Sequence, residues 1–139
     1  MEYHFKIHKE KKQYWAECVE IPYCHTIGKD LEELNKNMTE VINLVLDEPE
    51  NSKVILPLPK KVRAKNIIAV KPDIQIAFAM ILRQFRLTQG LSQRQMAQKL
   101  GRVLSQYQKL EKSKTANPNL KTIKNLKSKF PELNLADIF

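Results

Sequence analysis

The stretch Leu91–Glu111, which reads LSQRQMAQKLGRVLSQYQKLE, restricts the fold of this chain more than any other. Ser92 and Gln95 stand at the spacing of a reciprocal helix cap, in which each side chain satisfies the other residue's backbone N–H. Met96, Ala97 and Leu100 then recur at helical spacing. Gly101 follows, a residue that tolerates the left-handed conformation found at helix ends. Beyond it, Leu104, Tyr107 and Leu110 mark the buried side of a second helix. Ser105, Gln106, Gln108, Lys109 and Lys112 fall on its other side and have no need of burial. The pattern describes two short helices held at a fixed turn, the second offering hydrogen-bonding and cationic groups outward.

Such a pair is a helix-turn-helix, whose second helix enters the major groove of DNA. Gln93, Ser105, Gln106, Gln108 and Lys109 are the groove-side residues it predicts. A glutamine pairs bidentately with adenine, which is worth about 1–3 kcal/mol of discrimination. Lys112, Lys114 and Lys121 are expected on phosphates, where they position the domain without reading sequence. Glu111 is expected to anchor the motif from inside, through Arg94 or a backbone amide. A dimer would read a palindrome with half-sites about 34 Å apart, or a multiple of that.

Charge is distributed unevenly about this motif. The chain of 139 residues carries a net +9. Residues 1–50 hold six Lys/Arg against eleven Asp/Glu, whereas residues 51–139 hold eighteen against four. The cationic half suits phosphate, where counterion release drives binding. The acidic half suits a basic protein partner. With 42% hydrophobic and 28% charged residues the chain can pack a core, and its length allows one domain or two small ones.

The front half reads as a small mixed unit. Tyr3–His8 alternates apolar and polar residues at the period of a half-buried strand, and Gln13–Glu20 follows after a charged turn. Cys24–Gly28 adds a short third strand, and Asp30 caps a helix running to about Leu46. Its expected buried stripe is Leu31, Leu34, Met38, Val41, Ile42 and Val45. Val54–Leu56 is expected to close the sheet. The fold class is therefore α+β: a β-β-β-α-β unit over residues 1–57, a basic linker with a possible short strand over 58–72, and an all-α helix-turn-helix domain of about five helices over 73–139. Lys60–Lys65 reads as a solvated tether in preference to a DNA contact.

Two later helices carry marked apolar faces. From Ile74 to Leu82 only Gln75 is polar, so one face of this helix exceeds what a small helical domain can cover. Dimerisation through Ile74 and Phe78, with Ile67, Ile68 and Val70 pairing across a two-fold, is the favoured cover; packing on the front half is the alternative. In the last helix, Leu120–Phe130, the expected buried set is Leu120, Ile123, Leu126 and Phe130.

Catalytic and metal chemistry find little footing. Cys18, Cys24 and His25 lack a fourth ligand at zinc-like spacing, and the two cysteines read as buried structural thiols. Metal-dependent phosphodiester cleavage needs clustered carboxylates around two ions. Glu17 and Glu20 stand without partner aspartates, and His4 and His8 without a serine. No enzyme activity, cofactor or metal is expected. No leader peptide or long apolar run is visible, so the expected place is the cytoplasm, with no membrane contact.

Two families share these patterns. Leu91-Ser92-Gln93, Ala97, Leu100-Gly101 and Glu111 resemble the phage-repressor (Cro/XRE) class of helix-turn-helix proteins. That class usually opens its second helix with a polar cap and a Gln; here Val103 and Leu104 stand there, which moves base reading to Ser105, Gln106 and Gln108. Tyr14–Leu34 resembles the HicB antitoxin family, which places an aromatic strand, a P-x-x-C-x-T-x-G turn and an acidic helix start in this order. Pro22, Cys24, Thr26, Gly28 and Glu33 match; Tyr23 stands where a glycine is common. The resemblance implies a partial ribonuclease H-like front domain that binds and covers a small basic ribonuclease, HicA, and a rear domain that represses its own operon on double-stranded operator DNA, as a homodimer or higher. Tyr14, Trp15 and Tyr23 are the apolar anchors expected against such a toxin, and Glu17 and Glu20 the charged ones. A stand-alone repressor with a small ligand-sensing front domain is the alternative, and a nuclease using the front sheet a further one.

Overall fold

The computed structural model describes residues 1–139. The chain forms two compact units, Met1–Glu48 with Val54–Asp73, and Pro49–Lys53 with Ile74–Phe139.

In the front unit, β1 (Tyr3–Glu10), β2 (Gln13–Cys18), β3 (His25–Gly28) and β4 (Ile67–Val70) build one antiparallel sheet in the order β3-β2-β1-β4. The register sets Phe5 opposite Cys18 and Ile7 opposite Ala16, and Tyr3 opposite Val70. Alternation therefore sends Tyr3, Phe5, Ala16, Cys18 and Val70 to the face that is buried. Helix α1 (Leu31–Leu46) packs on β2 and β3. Asp30 caps it by accepting from the Glu33 N–H at 2.8 Å. Gly28 is required where strand meets helix, because a Cβ there would lie 2.6 Å from the Leu34 nitrogen. The buried stripe of α1 is Leu34, Met38, Ile42 and Leu46; Leu31, expected in it, is exposed.

The sheet closes with a different segment from the one expected. Val54–Leu56 forms no strand, and Ile67–Val70 pairs with β1 in its place. Pro57 and Pro59 follow Val54–Leu56 directly, and proline cannot donate to a ladder. Only Leu56 of that triplet is buried. The stretch before β4 is also no free tether. Tyr3 Oη donates to the Pro57 carbonyl at 2.9 Å, the Lys60 N–H donates to Glu20 Oε2 at 3.0 Å, and the Ile7 N–H donates to the Asn66 carbonyl at 2.8 Å.

The second unit holds four helices, α2 (Ile74–Thr88), α3 (Gln93–Lys99), α4 (Leu104–Glu111) and α5 (Leu120–Lys129), and a final 3-10 turn, Ala136–Ile138. Phe78, Leu82, Met96, Leu100, Tyr107, Leu126 and Phe130 lie in one apolar core. Asn119 caps α5 through the Thr122 N–H at 2.8 Å. Leu120, expected inside, is 85% exposed, because it occupies the first helical position beside the cap; Ile123, Leu126 and Phe130 carry the packing.

Candidate nucleic-acid interface

The two short helices meet as their residues require. The Gln95 N–H donates to Ser92 Oγ at 3.1 Å and the Ser92 N–H to Gln95 Oε1 at 2.9 Å, which completes the reciprocal cap of α3. Gly101 takes φ +66°, and the Arg102 N–H reaches back to the Ala97 carbonyl at 2.9 Å. Tyr107 and Leu110 of α4 enter the core. Val103 precedes α4 without a side-chain cap.

One carboxylate fixes the position of these helices. Glu111 receives Arg86 Nε at 2.8 and 3.1 Å on its two oxygens, and Gln93 Nε2 at 2.9 Å. Arg86 Nη1 also donates to the Leu91 carbonyl at 2.9 Å. Both side chains of the ion pair are buried, at 7% and 3% exposure. The anchoring expected of Glu111 is thus internal, but its partners are Arg86 and Gln93, not Arg94. The Tyr107 hydroxyl is buried near this pair; burial pushes its pKa up, and the Glu111 charge pushes the same way.

The groove-side residues expected from the sequence fall into two groups. Ser105, Gln106 and Lys109 are exposed on α4, on the side away from Tyr107 and Leu110. Gln93 and Gln108 are half-buried and joined, Gln108 Nε2 donating to Gln93 Oε1 at 3.2 Å. Glu111 and Gln108 together leave Gln93 little freedom. Lys112, Lys114 and Lys121 are exposed, and Lys112 Nζ lies 3.3 Å from Glu50. Arg102, which the sequence did not single out, donates through Nη2 to Thr122 Oγ1, and Asn125 Nδ2 donates to the Leu100 carbonyl at 2.9 Å. These two contacts fix α5 against the turn at Gly101. A pair of polar residues 20 apart carries no local pattern that would have revealed them.

The residues expected on a protein partner separate in the front unit. Trp15 and Glu17 project on the side of the sheet opposite the buried face, where Trp15 stacks on His8 with ring centroids 3.9 Å apart. Glu17 accepts from His8 Nε2 at 3.2 Å. Tyr14 alternates to the other side, with Lys9 Nζ 5.8 Å from its ring centre. Tyr23 is exposed in the loop before β3. Glu20 is not a surface group: its side chain is 0% exposed. It accepts from the His4 N–H at 2.9 Å, His4 Nδ1 at 2.8 Å and the Lys60 N–H at 3.0 Å, with Cys18 Sγ at 3.7 Å. Burial raises the Glu20 pKa, but these donors outweigh it and hold the carboxyl below its ordinary range. The reading of Glu20 as a docking charge therefore gives way to that of a buried staple.

The unit boundaries also change the charge account. The front unit carries eleven Lys/Arg and eleven Asp/Glu, a net of zero, because Lys60, Lys61, Arg63, Lys65 and Lys71 belong to it. The helical unit carries thirteen against four, a net of +9. The residues expected at a two-fold are placed in both units: Ile67 and Ile68 are half-buried and Val70 buried in β4, Ile74 is exposed at the start of α2, and Phe78 lies in the helical core. Cys18 and Cys24 are both buried and unlinked. No group of three or more His, Cys, Asp or Glu could hold a metal ion, and no helix is long and apolar enough to cross a membrane.

Comparison with known proteins agrees with this geometry. A family described as Helix-turn-helix matches residues 82–132, the span from α2 to just beyond α5. The chain is also 49% identical over 39 residues to a UPF0150 protein of Thermotoga maritima, and that stretch is 28% of this chain. The chain spans about half the length of that relative, 52% of it. The helical unit thus carries a DNA-binding regulatory domain of the helix-turn-helix type.

Proposed function

We propose that this chain is the antitoxin of a type II toxin–antitoxin pair, which binds a HicA-like mRNA-cleaving ribonuclease through its front unit and represses its own operon as a dimer through its helical unit. The observation that carries the reading is the succession of two parts in one chain: a four-stranded unit with the HicB-like turn at Pro22–Gly28, and then a helix-turn-helix. The similarity to a UPF0150 protein, from a HicB-like family, supports the front half of it.

On this reading the toxin meets the open side of the sheet, where Trp15 and Glu17 stand, and the adjoining loop with Tyr23. Aromatic side chains carry much of the energy at protein interfaces. Net charge does not draw the toxin in, since the front unit is neutral; attraction is local to groups such as Glu17. DNA meets Ser105, Gln106 and Lys109 of α4, with Lys112, Lys114 and Lys121 on phosphates. Dimers form through the half-buried residues of β4, an edge strand, and through Ile74.

The test is co-expression with a small basic HicA-like ribonuclease that cleaves mRNA. The expected result is rescue of growth and loss of mRNA cleavage when the chain is present. Cleavage that continues undiminished at a molar excess of the chain contradicts the proposal.

A further inference from the structure

The stretch Lys60–Lys65 carries Lys60, Lys61, Arg63 and Lys65, all exposed. None of the four is in an ion pair with a carboxylate. In a long flexible tether such a run would spread its charge over many conformations. Here the backbone is held on the front unit at three points. Pro57 is bound by Tyr3, Lys60 by the buried carboxylate of Glu20, and Asn66 by the β1 amide of Ile7. Val62, between Lys61 and Arg63, is half-buried and the residues on either side of it point to solvent. Six residues after Lys60 the chain turns at Asn66, with φ +63°, straight into β4.

The charge balance makes this strip stand out. The front unit is neutral as a whole, so its remaining residues carry a net −4 against the +4 of the strip. A cationic line fixed on an otherwise acidic body presents its charge in one place and at little ordering cost. A cationic protein is repelled there, whereas a line of phosphates is attracted.

We propose that Lys61, Arg63 and Lys65 form a second phosphate-contacting site for duplex DNA, outside the helix-turn-helix and independent of base sequence. Lys60 serves as the anchor through its backbone. The inference rests on DNA binding by the chain and not on the toxin reading.

Each phosphate neutralised on duplex DNA contributes about 0.9 to the slope of log affinity against log salt. The experiment is a salt series of fluorescence-anisotropy titrations with a random-sequence 30-base-pair duplex, comparing the full chain with its Lys61→Ala/Arg63→Ala/Lys65→Ala variant. The slope is expected to fall by about 2.7 in the variant, for three contacts at 0.9 each. The charge-keeping variant Lys61→Arg/Arg63→Lys/Lys65→Arg is expected to retain the wild-type slope. The same fall is expected in a Lys109→Ala/Lys112→Ala background, where contacts of the helical unit are already weakened. Wild-type binding with an unchanged slope in the triple-alanine variant overturns the strip, as does a change seen with an RNA duplex but not with DNA. Failure of the wild-type chain to bind any duplex overturns DNA binding itself, which is a separate result.

Discussion

The front unit and the helical unit are each organised by one buried carboxylate, and the two are satisfied by different chemistry. Glu111 is paired with a guanidinium, Arg86, and passes its order outward through Gln93 to Gln108. Glu20 is held by the His4 imidazole and two backbone N–H groups, and fixes the loop from which the basic strip begins. The first arrangement places the two helices of the helix-turn-helix. The second stores no permanent charge pair and ties together segments 16 and 40 residues distant. Comparing the two shows that a carboxylate's place in the sequence says little about its role. What decides is which donors the fold brings to it.

The largest expected difference between the units comes from removing these carboxylates. Glu111→Ala leaves Arg86 buried without its counter-charge, and breaking a buried pair in this way costs about 3–5 kcal/mol. Urea unfolding followed by the fluorescence of a probe in the helical unit measures it. Glu20→Ala leaves the His4 and Lys60 N–H groups without their acceptor, with an expected loss of about 2–3 kcal/mol in the front unit. Its pH dependence is the sharper reading. A carboxyl held below its ordinary value stabilises fully above that value, near 4.3, and the contribution disappears as pH falls through the lower, folded-state value. Wild type should therefore lose front-unit stability toward acid more steeply than Glu20→Ala, and parallel acid limbs would refute the staple. Gly28→Ala forces a Cβ against the start of α1, with a loss of about 1–3 kcal/mol in the same unit and none in the other. Lys112→Ala removes an exposed ion pair with Glu50 and should cost below about 1 kcal/mol, while still weakening DNA binding.

Much of the helical unit was legible because its rules are local. The Ser92–Gln95 cap, the turn at Gly101 and the buried face through Tyr107 and Leu110 each depend on residues within one or two turns. The partner of Glu111 was not, since Arg86 is 25 residues away on a helix whose placement is tertiary. Arg94 lies nearer in sequence yet remains exposed. In the front unit two short apolar runs competed to close the sheet. The prolines at 57 and 59 argued against Val54–Leu56, and Ile67–Val70 won the edge of β1. That one exchange moved five basic residues into the front unit and removed its apparent acidity. Charge summed over residues 1–50 alone had made the front unit look acidic, whereas the folded unit is neutral as a whole. Glu20 misled in the same way, because a glutamate at a strand end reads as solvated until the donors from His4 and Lys60 are seen.

Division of labour between the units is the central claim, and a crossed pair of variants tests it most directly. Trp15→Ala, on the open side of the sheet, and Gln106→Ala/Lys109→Ala, on α4, are each assayed for suppression of mRNA cleavage by a HicA-like ribonuclease and for affinity toward the chain's own promoter. The account predicts that the first variant loses about 2 kcal/mol or more of toxin affinity and keeps promoter binding. It predicts that the second loses promoter binding and still suppresses cleavage. Loss of both activities in either variant, with the fold intact, or loss of neither, would contradict it.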